Sequence, residues 1–298
     1  MSRLELAAPG ADDVVVDVEY SGISTGTERL LWSGRMPHFP GMGYPLVPGY
    51  ESVGRVTAAG AHAGGRVGDW VFVPGARCFG NIRGLFGGAA SRLVVPGARA
   101  TSIDESLGAD GVLLALAATA YHAIAVLNGR QPDLIVGHGV LGRLVARIAT
   151  LQGGSPVVWE RNAARRAIDE PGYRVIHPDQ DERRDYRAIC DVSGDSSLLD
   201  TLIARLARGG EIVLAGFYDQ PLSFVFPPAF MREACIRVAA EWLPADLESV
   251  QSLVAARHLS LTGLITHRLE ARQAAAAYAQ AFSDSTCLKM ILDWRGCA

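Results

Sequence analysis

The sequence predicts an α/β chain in two parts, a β-rich first third and then a doubly wound parallel sheet. Three observations carry this reading. The chain has 298 residues, more than a single hydrophobic core usually serves. Its first hundred residues are dense in Gly and Pro and hold only short apolar runs, the pattern of short strands broken by turns. From Pro132 onward, short apolar runs alternate with longer helical patterns, as parallel strands covered by helices require.

Taken in order, Val14, Val16 and Val18 make a β-like run alternating with the acidic residues Asp17 and Glu19. Val53–Val56, Trp70–Val73 and Leu93–Val95 supply further short strands. Gly111 to Leu127 reads as a buried Ala/Leu-rich helix, too short for the ~20 residues a membrane span needs. Leu134–Val136 is an apolar strand. Val140 to Leu151 is a helix with Leu141, Leu144, Val145 and Ile148 on one face. Val157–Trp159 is a second strand, followed by an Arg-rich helix at Asn162–Ile168. Ala188–Val192, a helix near Ser197–Leu206 and the strand Ile212–Ala215 continue the alternation. Leu264 to Trp294 adds a strand, a helix and a last apolar run, Leu288–Leu292.

Composition narrows the function classes. The chain is 49% hydrophobic and 20% charged, with a net charge of −3, which gives no reason to expect nucleic acid or an anionic membrane as partner. Of its 28 basic residues only Lys289 is lysine, so any Schiff-base chemistry would rest on that one amine. Five cysteines (Cys78, Cys190, Cys235, Cys287 and Cys297) include no Cys-x-x-Cys pair, so neither a sequence-local zinc site nor a disulfide framework is indicated. The N-terminus has no signal pattern, and a cytoplasmic location is expected.

Gly137-x-Gly139-x-x-Gly142 lies between the predicted strand and helix, the context a dinucleotide loop needs. Gly137 permits the tight turn, Gly139 the approach of a pyrophosphate, and Gly142 close helix packing. His138, Val140 and Leu141 complete the loop, whose free amides at the helix start would receive the anion. Glu160 stands at the end of the next strand, where a carboxylate bonds ribose hydroxyls and favours NAD over NADP. Arg161 follows it and opposes that preference. Gly216 and Phe217 sit at the carboxyl end of a strand, where open α/β sheets bind ligands.

The runs at Val14–Val18, Gly22–Glu28, Tyr44–Glu51, Val53–Val56 and Gly68–Phe72 resemble the medium-chain dehydrogenase/reductase superfamily. The resemblance implies a GroES-like catalytic domain over residues 1–118 and 264–298, with a Rossmann domain over 119–263. Zinc-dependent members carry a cysteine where Ser24 or Thr25 stands here, with one extra residue, and a histidine where Tyr50 stands. Of that pattern Glu51 alone remains, and the cysteine cluster of the structural zinc lobe is absent. A catalytic zinc needs about three such ligands, so no metal is expected. Members usually begin with a further strand ahead of the segment at Leu4–Leu6.

Longer runs at residues 21–32, 36–45, 83–92, 132–142 and 226–233 resemble a narrower branch of that superfamily. That branch oxidises the 3-(1-hydroxyethyl) group of bacteriochlorophyllide a to acetyl in bacteriochlorophyll biosynthesis, reducing NAD. The conjugated macrocycle would stabilise positive character at the reacting carbon, so a preformed alkoxide is less needed. Ser24, Thr25, Tyr50 and Glu51 are then the candidate proton acceptors. Trp32, Met36, His38, Phe39, Met42, Tyr44, Phe86 and Tyr218 are candidates to face a flat apolar ring system. A homodimer through the Rossmann sheet edge is the superfamily's implication. Two alternatives stay open: an NAD(P)H-dependent quinone or enone reductase, and a non-catalytic binder of NAD and tetrapyrrole.

Overall fold

Alternation of Val14, Val16 and Val18 with Asp13, Asp17 and Glu19 builds a strand with one face buried and the other wet. In the computed structural model, which describes residues 1–38, 40–64, 66–167 and 170–297, this strand is β1 (Asp13–Ile23). The chain continues through α1 (Thr27–Trp32), β2 (Leu46–Val47), β3 (Ser52–Ala59), β4 (Trp70–Val73), β5 (Arg83–Gly84), β6 (Arg92–Pro96) and β7 (Thr101–Ser102). The Ala/Leu-rich helix α2 (Leu114–Ala125) follows a 3-10 segment, Glu105–Leu113, which is broken at Gly108.

The second half opens with β8 (Leu134–Val136), α3 (Val140–Leu151), β9 (Val157–Trp159), α4 (Ala163–Arg166), β10 (Arg174–Ile176), β11 (Tyr186–Asp191), α5 (Leu199–Arg205) and β12 (Leu206–Leu214). It closes with α6 (Phe226–Arg232), β13 (Cys235–Val238), α7 (Pro244–Ala255), β14 (His267–Glu270), α8 (Ala274–Ser283) and β15 (Met290–Asp293).

These elements form two compact units, Met1–Ala115 with Leu261–Ala298, and Leu116–Ser260. In the first unit β1 pairs antiparallel with β3, β6 and β15. The sheet runs β14-β15-β1-β3-β4-β7, and its core gathers Val14, Val16, Val71, Leu93, Met290 and Leu292. In the second unit six parallel strands run β10-β9-β8-β11-β12-β13. That order reverses between β8 and β11, which places a ligand crevice at the carboxyl ends of those strands.

The structure departs from the sequence-based reading in several places. The Arg-rich helix is a single turn: Asn162 caps it by accepting from the amides of Ala164 and Arg165, and Ile168 lies outside the described residues. The apolar helical run extends back to Glu105, so Glu105–Ala125 is 21 residues long and passes the length and hydropathy test for a membrane crossing. More than half of it is packed inside the protein, and its first nine residues are 3-10 helix. His122 on α2 holds its Nδ1 2.8 Å from the Asp246 carboxylate on α7, as a satisfied interior histidine does. The sequence reading does not foresee α1, β10, α6, β13 or α7.

Candidate functional site

The glycine-rich loop joins β8 to α3. Gly137 has φ +104°, a conformation that suits glycine, and its N–H donates to the Trp159 carbonyl at 2.9 Å. A Cβ at Gly142 would stand 1.9 Å from the Gly137 carbonyl oxygen, so only glycine lets α3 start this close to the strand. A Cβ at Gly139 would meet nothing within 4 Å. Gly139 caps α3 with no side-chain partner, and the first-turn amides of Val140, Leu141 and Gly142 have no intrahelical acceptors. Open space before free amides fits a diphosphate.

His138 is turned inward. It is fully buried, with Nδ1 3.0 Å from the Arg165 carbonyl and Nε2 3.1 Å from the Tyr173 hydroxyl. Burial, then the Arg143 charge, pushes its imidazole down to about 4, so it stays neutral. Glu160 accepts from the amides of His138 (3.1 Å) and Asn162 (2.8 Å), which fixes its carboxylate at the end of β9. A cleft of about 380 Å³ opens there, lined by Gly137, Trp159, Glu160, Arg161, Ser193 and Asp195 among others. Arg161 reaches across to Asp195 at 3.6 Å. Gly216 donates to the Asp191 carbonyl at 3.1 Å, beside exposed Phe217. These residues fit a nicotinamide dinucleotide.

The second cluster lies in the first unit, where β1 meets the β2–β3 connection. The Tyr50 hydroxyl donates to Ser24 Oγ at 2.8 Å, with Thr25 partly exposed next to it. Burial and the Glu51 carboxylate push the Tyr50 phenol well above its ordinary range. Glu51 is wholly buried. Lys289 on the β15 approach reaches both its oxygens, at 2.9 and 2.7 Å, and also donates to the Ile23 carbonyl at 3.3 Å. Ser24 and Tyr50 offer hydroxyls, and the Glu51 carboxylate is already held by an ammonium. Among the described residues no group of three His, Cys, Asp or Glu is placed to hold an ion. This donor set does not fit a catalytic zinc.

Two further residues complete the cluster. Glu28, the first acid of α1, is buried and accepts from the Ser24 amide at 3.0 Å and from the Tyr278 hydroxyl at 2.7 Å. Neither it nor Tyr278 was a candidate from the sequence, and Lys289 was noted only as a lone amine. The signals were present: an acid on the inward face of a first helical turn, and a charge inside the last apolar run. Burial is the main force raising the Glu28 carboxyl from its ordinary 4.5 to about 7, opposed by those two hydrogen bonds and helped by Glu51. Between these values the folded chain keeps a proton that the unfolded chain releases, so stability falls as pH rises from 4.5 to about 7. Glu28→Gln is expected to flatten that slope. Urea midpoints across the window measure it, and parallel slopes for both proteins would refute the assignment.

The residues named for a flat apolar ligand scatter in environment. Trp32 and Tyr44 are exposed, as is His38. Met36 is buried with Leu30, Leu31 and Leu85, and Met42 and Phe86 lean on that small core. Phe86 also meets Tyr50 edge-on at 5.4 Å. Tyr218 belongs to the second unit, with its hydroxyl on the Asp191 carboxylate at 2.9 Å. Phe39 lies outside the described residues.

Residues 10–105 match the model of the alcohol dehydrogenase GroES-like domain. The chain is 58% identical to the 2-desacetyl-2-hydroxyethyl bacteriochlorophyllide A dehydrogenase of Cereibacter sphaeroides, over 100% of this chain and 95% of that one. It is 58% identical to the enzyme of that name from Rhodobacter capsulatus, over 97% and 93% of the two chains. In fold it is similar to a short chain alcohol dehydrogenase from E. coli CFT073 solved with NADH, with TM-score 0.81 and 21% identity, over 97% of this chain and 94% of that one. The chain thus belongs to the 2-desacetyl-2-hydroxyethyl bacteriochlorophyllide A dehydrogenase family, within the medium-chain dehydrogenase/reductase superfamily.

Proposed function

We propose that this protein oxidises the 3-(1-hydroxyethyl) group of bacteriochlorophyllide a to 3-acetyl, with NAD as hydride acceptor and without a catalytic metal. Identity to two dehydrogenases so named over nearly the whole chain supports the reaction. The observation that carries the metal-free chemistry is the Tyr50–Ser24 hydroxyl pair beside a Glu51 already neutralised by Lys289. The catalytic part lies in residues 1–118 and 264–298, and the cofactor part in 119–263. The protein works in the cytoplasm, as a homodimer through the edge strand β13, where Val238 is exposed.

When bound, the nicotinamide supplies the acceptor for the hydride leaving the alcohol carbon. The residues of this chain handle the hydroxyl proton. Tyr50 donates to Ser24, and its oxygen keeps a lone pair for the substrate hydroxyl beside the bond from Thr27. As the carbonyl forms, the substrate proton passes to Tyr50, that of Tyr50 to Ser24, and that of Ser24 onward to water. A phenol pushed above its ordinary range does not ionise first, so the transfers into and out of Tyr50 are concerted. The secondary alcohol loses one hydride and one proton, giving the ketone, NADH and a released proton. Glu160 at the ribose end of the cleft favours NAD over NADP.

The test is NADH formation from NAD and 3-hydroxyethyl bacteriochlorophyllide after chelator treatment, with NADP run in parallel. Full turnover with NAD is expected. Tyr50→Phe should lower kcat by ~10²–10⁴-fold, the usual range for proton-transfer help. Activity that returns only with added zinc, or a Tyr50→Phe enzyme at full kcat, would overturn the mechanism.

A further inference from the structure

We infer that the outer face of the Trp32 indole, held flat by Tyr278, is the surface on which the substrate's planar conjugated ring system rests. The inference builds on the proposed substrate and assigns Tyr278 and Glu28 as positioning residues. Trp32 ends α1 and stacks on Tyr278 with ring centroids 5.4 Å apart and planes 7° from parallel. Phe282 meets both rings at an angle, at 6.3 and 5.8 Å. Tyr278 cannot swing away, because its hydroxyl is bonded to the buried Glu28 carboxyl, which the Ser24 amide holds in turn. The inner face of the indole is therefore covered and its tilt fixed, yet 58% of the residue stays exposed.

Position argues for a ligand of this shape. Glu28 and Trp32 are four residues apart and share one face of α1. Thr27, which opens α1, is hydrogen-bonded to Tyr50, and five residues of helix rise only ~7.5 Å. A macrocycle whose side group reached the Tyr50–Ser24 pair would extend across the end of α1. Tyr44 stands there too, exposed, with its hydroxyl anchored on the Leu31 carbonyl at 2.6 Å. Aromatic faces prefer offset stacking, which a preset indole plane offers to a flat ring and denies to a bulky aliphatic alcohol.

The experiment compares wild type, Trp32→Leu, Trp32→Phe and Tyr278→Phe in NAD-coupled turnover and in direct pigment binding followed by quenching of tryptophan emission. Trp32→Leu should raise the pigment KM and Kd at least tenfold while KM for NAD stays put, with most of the quenching lost. Trp32→Phe should restore much of the affinity. Tyr278→Phe keeps the stack but frees its tilt, so an intermediate KM is expected; a merely structural tyrosine would lower Tm and leave KM alone. A Trp32→Leu protein with wild-type pigment KM and Kd overturns the inference, and so does a Tyr278→Phe protein with unchanged KM should Trp32→Leu fail to fold. Wild type that binds pigment but does not oxidise it would refute the proposed reaction, while the Kd series would still decide the role of Trp32.

Discussion

Lys289→Met is expected to destabilise the protein by about 3–5 kcal/mol, the usual penalty for stripping one partner from a buried ion pair. Lys289 is 2% exposed and Glu51 wholly buried, so water cannot replace the lost ammonium, and the Ile23 carbonyl loses its donor as well. The melting temperature should drop by on the order of 10 °C. Adding Glu51→Gln to the same protein removes the orphaned charge and should recover much of the loss. A double-mutant cycle read by urea denaturation measures the coupling. Single and double variants of equal stability would mean that the pair does not hold the β1, β3 and β15 segments together.

Gly139→Ala and Gly142→Ala should behave differently, although they belong to one loop. A methyl group at Gly142 collides with the Gly137 carbonyl at 1.9 Å, forcing β8 and α3 apart; overpacking of this kind costs about 1–3 kcal/mol. Both Tm and NAD affinity should fall. At Gly139 the methyl group enters open space, and the backbone there suits alanine (φ −76°, ψ −168°). Tm should hold, while NAD affinity drops ~10-fold or more, about 1.4 kcal/mol, because the methyl group takes the place of the diphosphate. Calorimetry and NAD titration of the two variants check this. Unchanged NAD binding in Gly139→Ala would remove the loop from the cofactor site.

Local patterns made much of this architecture legible. The bounds of α3 follow from one apolar face and a glycine start, and β1 follows from its alternation. The edge strands β10 and β13 were not legible. Each has three or four residues with an arginine among them, too little apolar surface to stand out from loop. The loop glycines could be read because their chemistry is sequential. The partnership of Glu51 with Lys289 could not, since 238 residues separate them and only the antiparallel pairing of β1 with β3 and β15 brings them together. Met36 shows the same limit. A soft side chain that suits a ligand wall also suits a small core, and Leu85, far along the chain, gives it one.

The molecule carries a single side-chain amine, sealed in its interior against a carboxylate. Amine-selective acylating reagents therefore meet no side-chain amine while the fold is closed. A tag arriving on the inner nitrogen would act as a clock, recording how often the sheet around β1 comes apart.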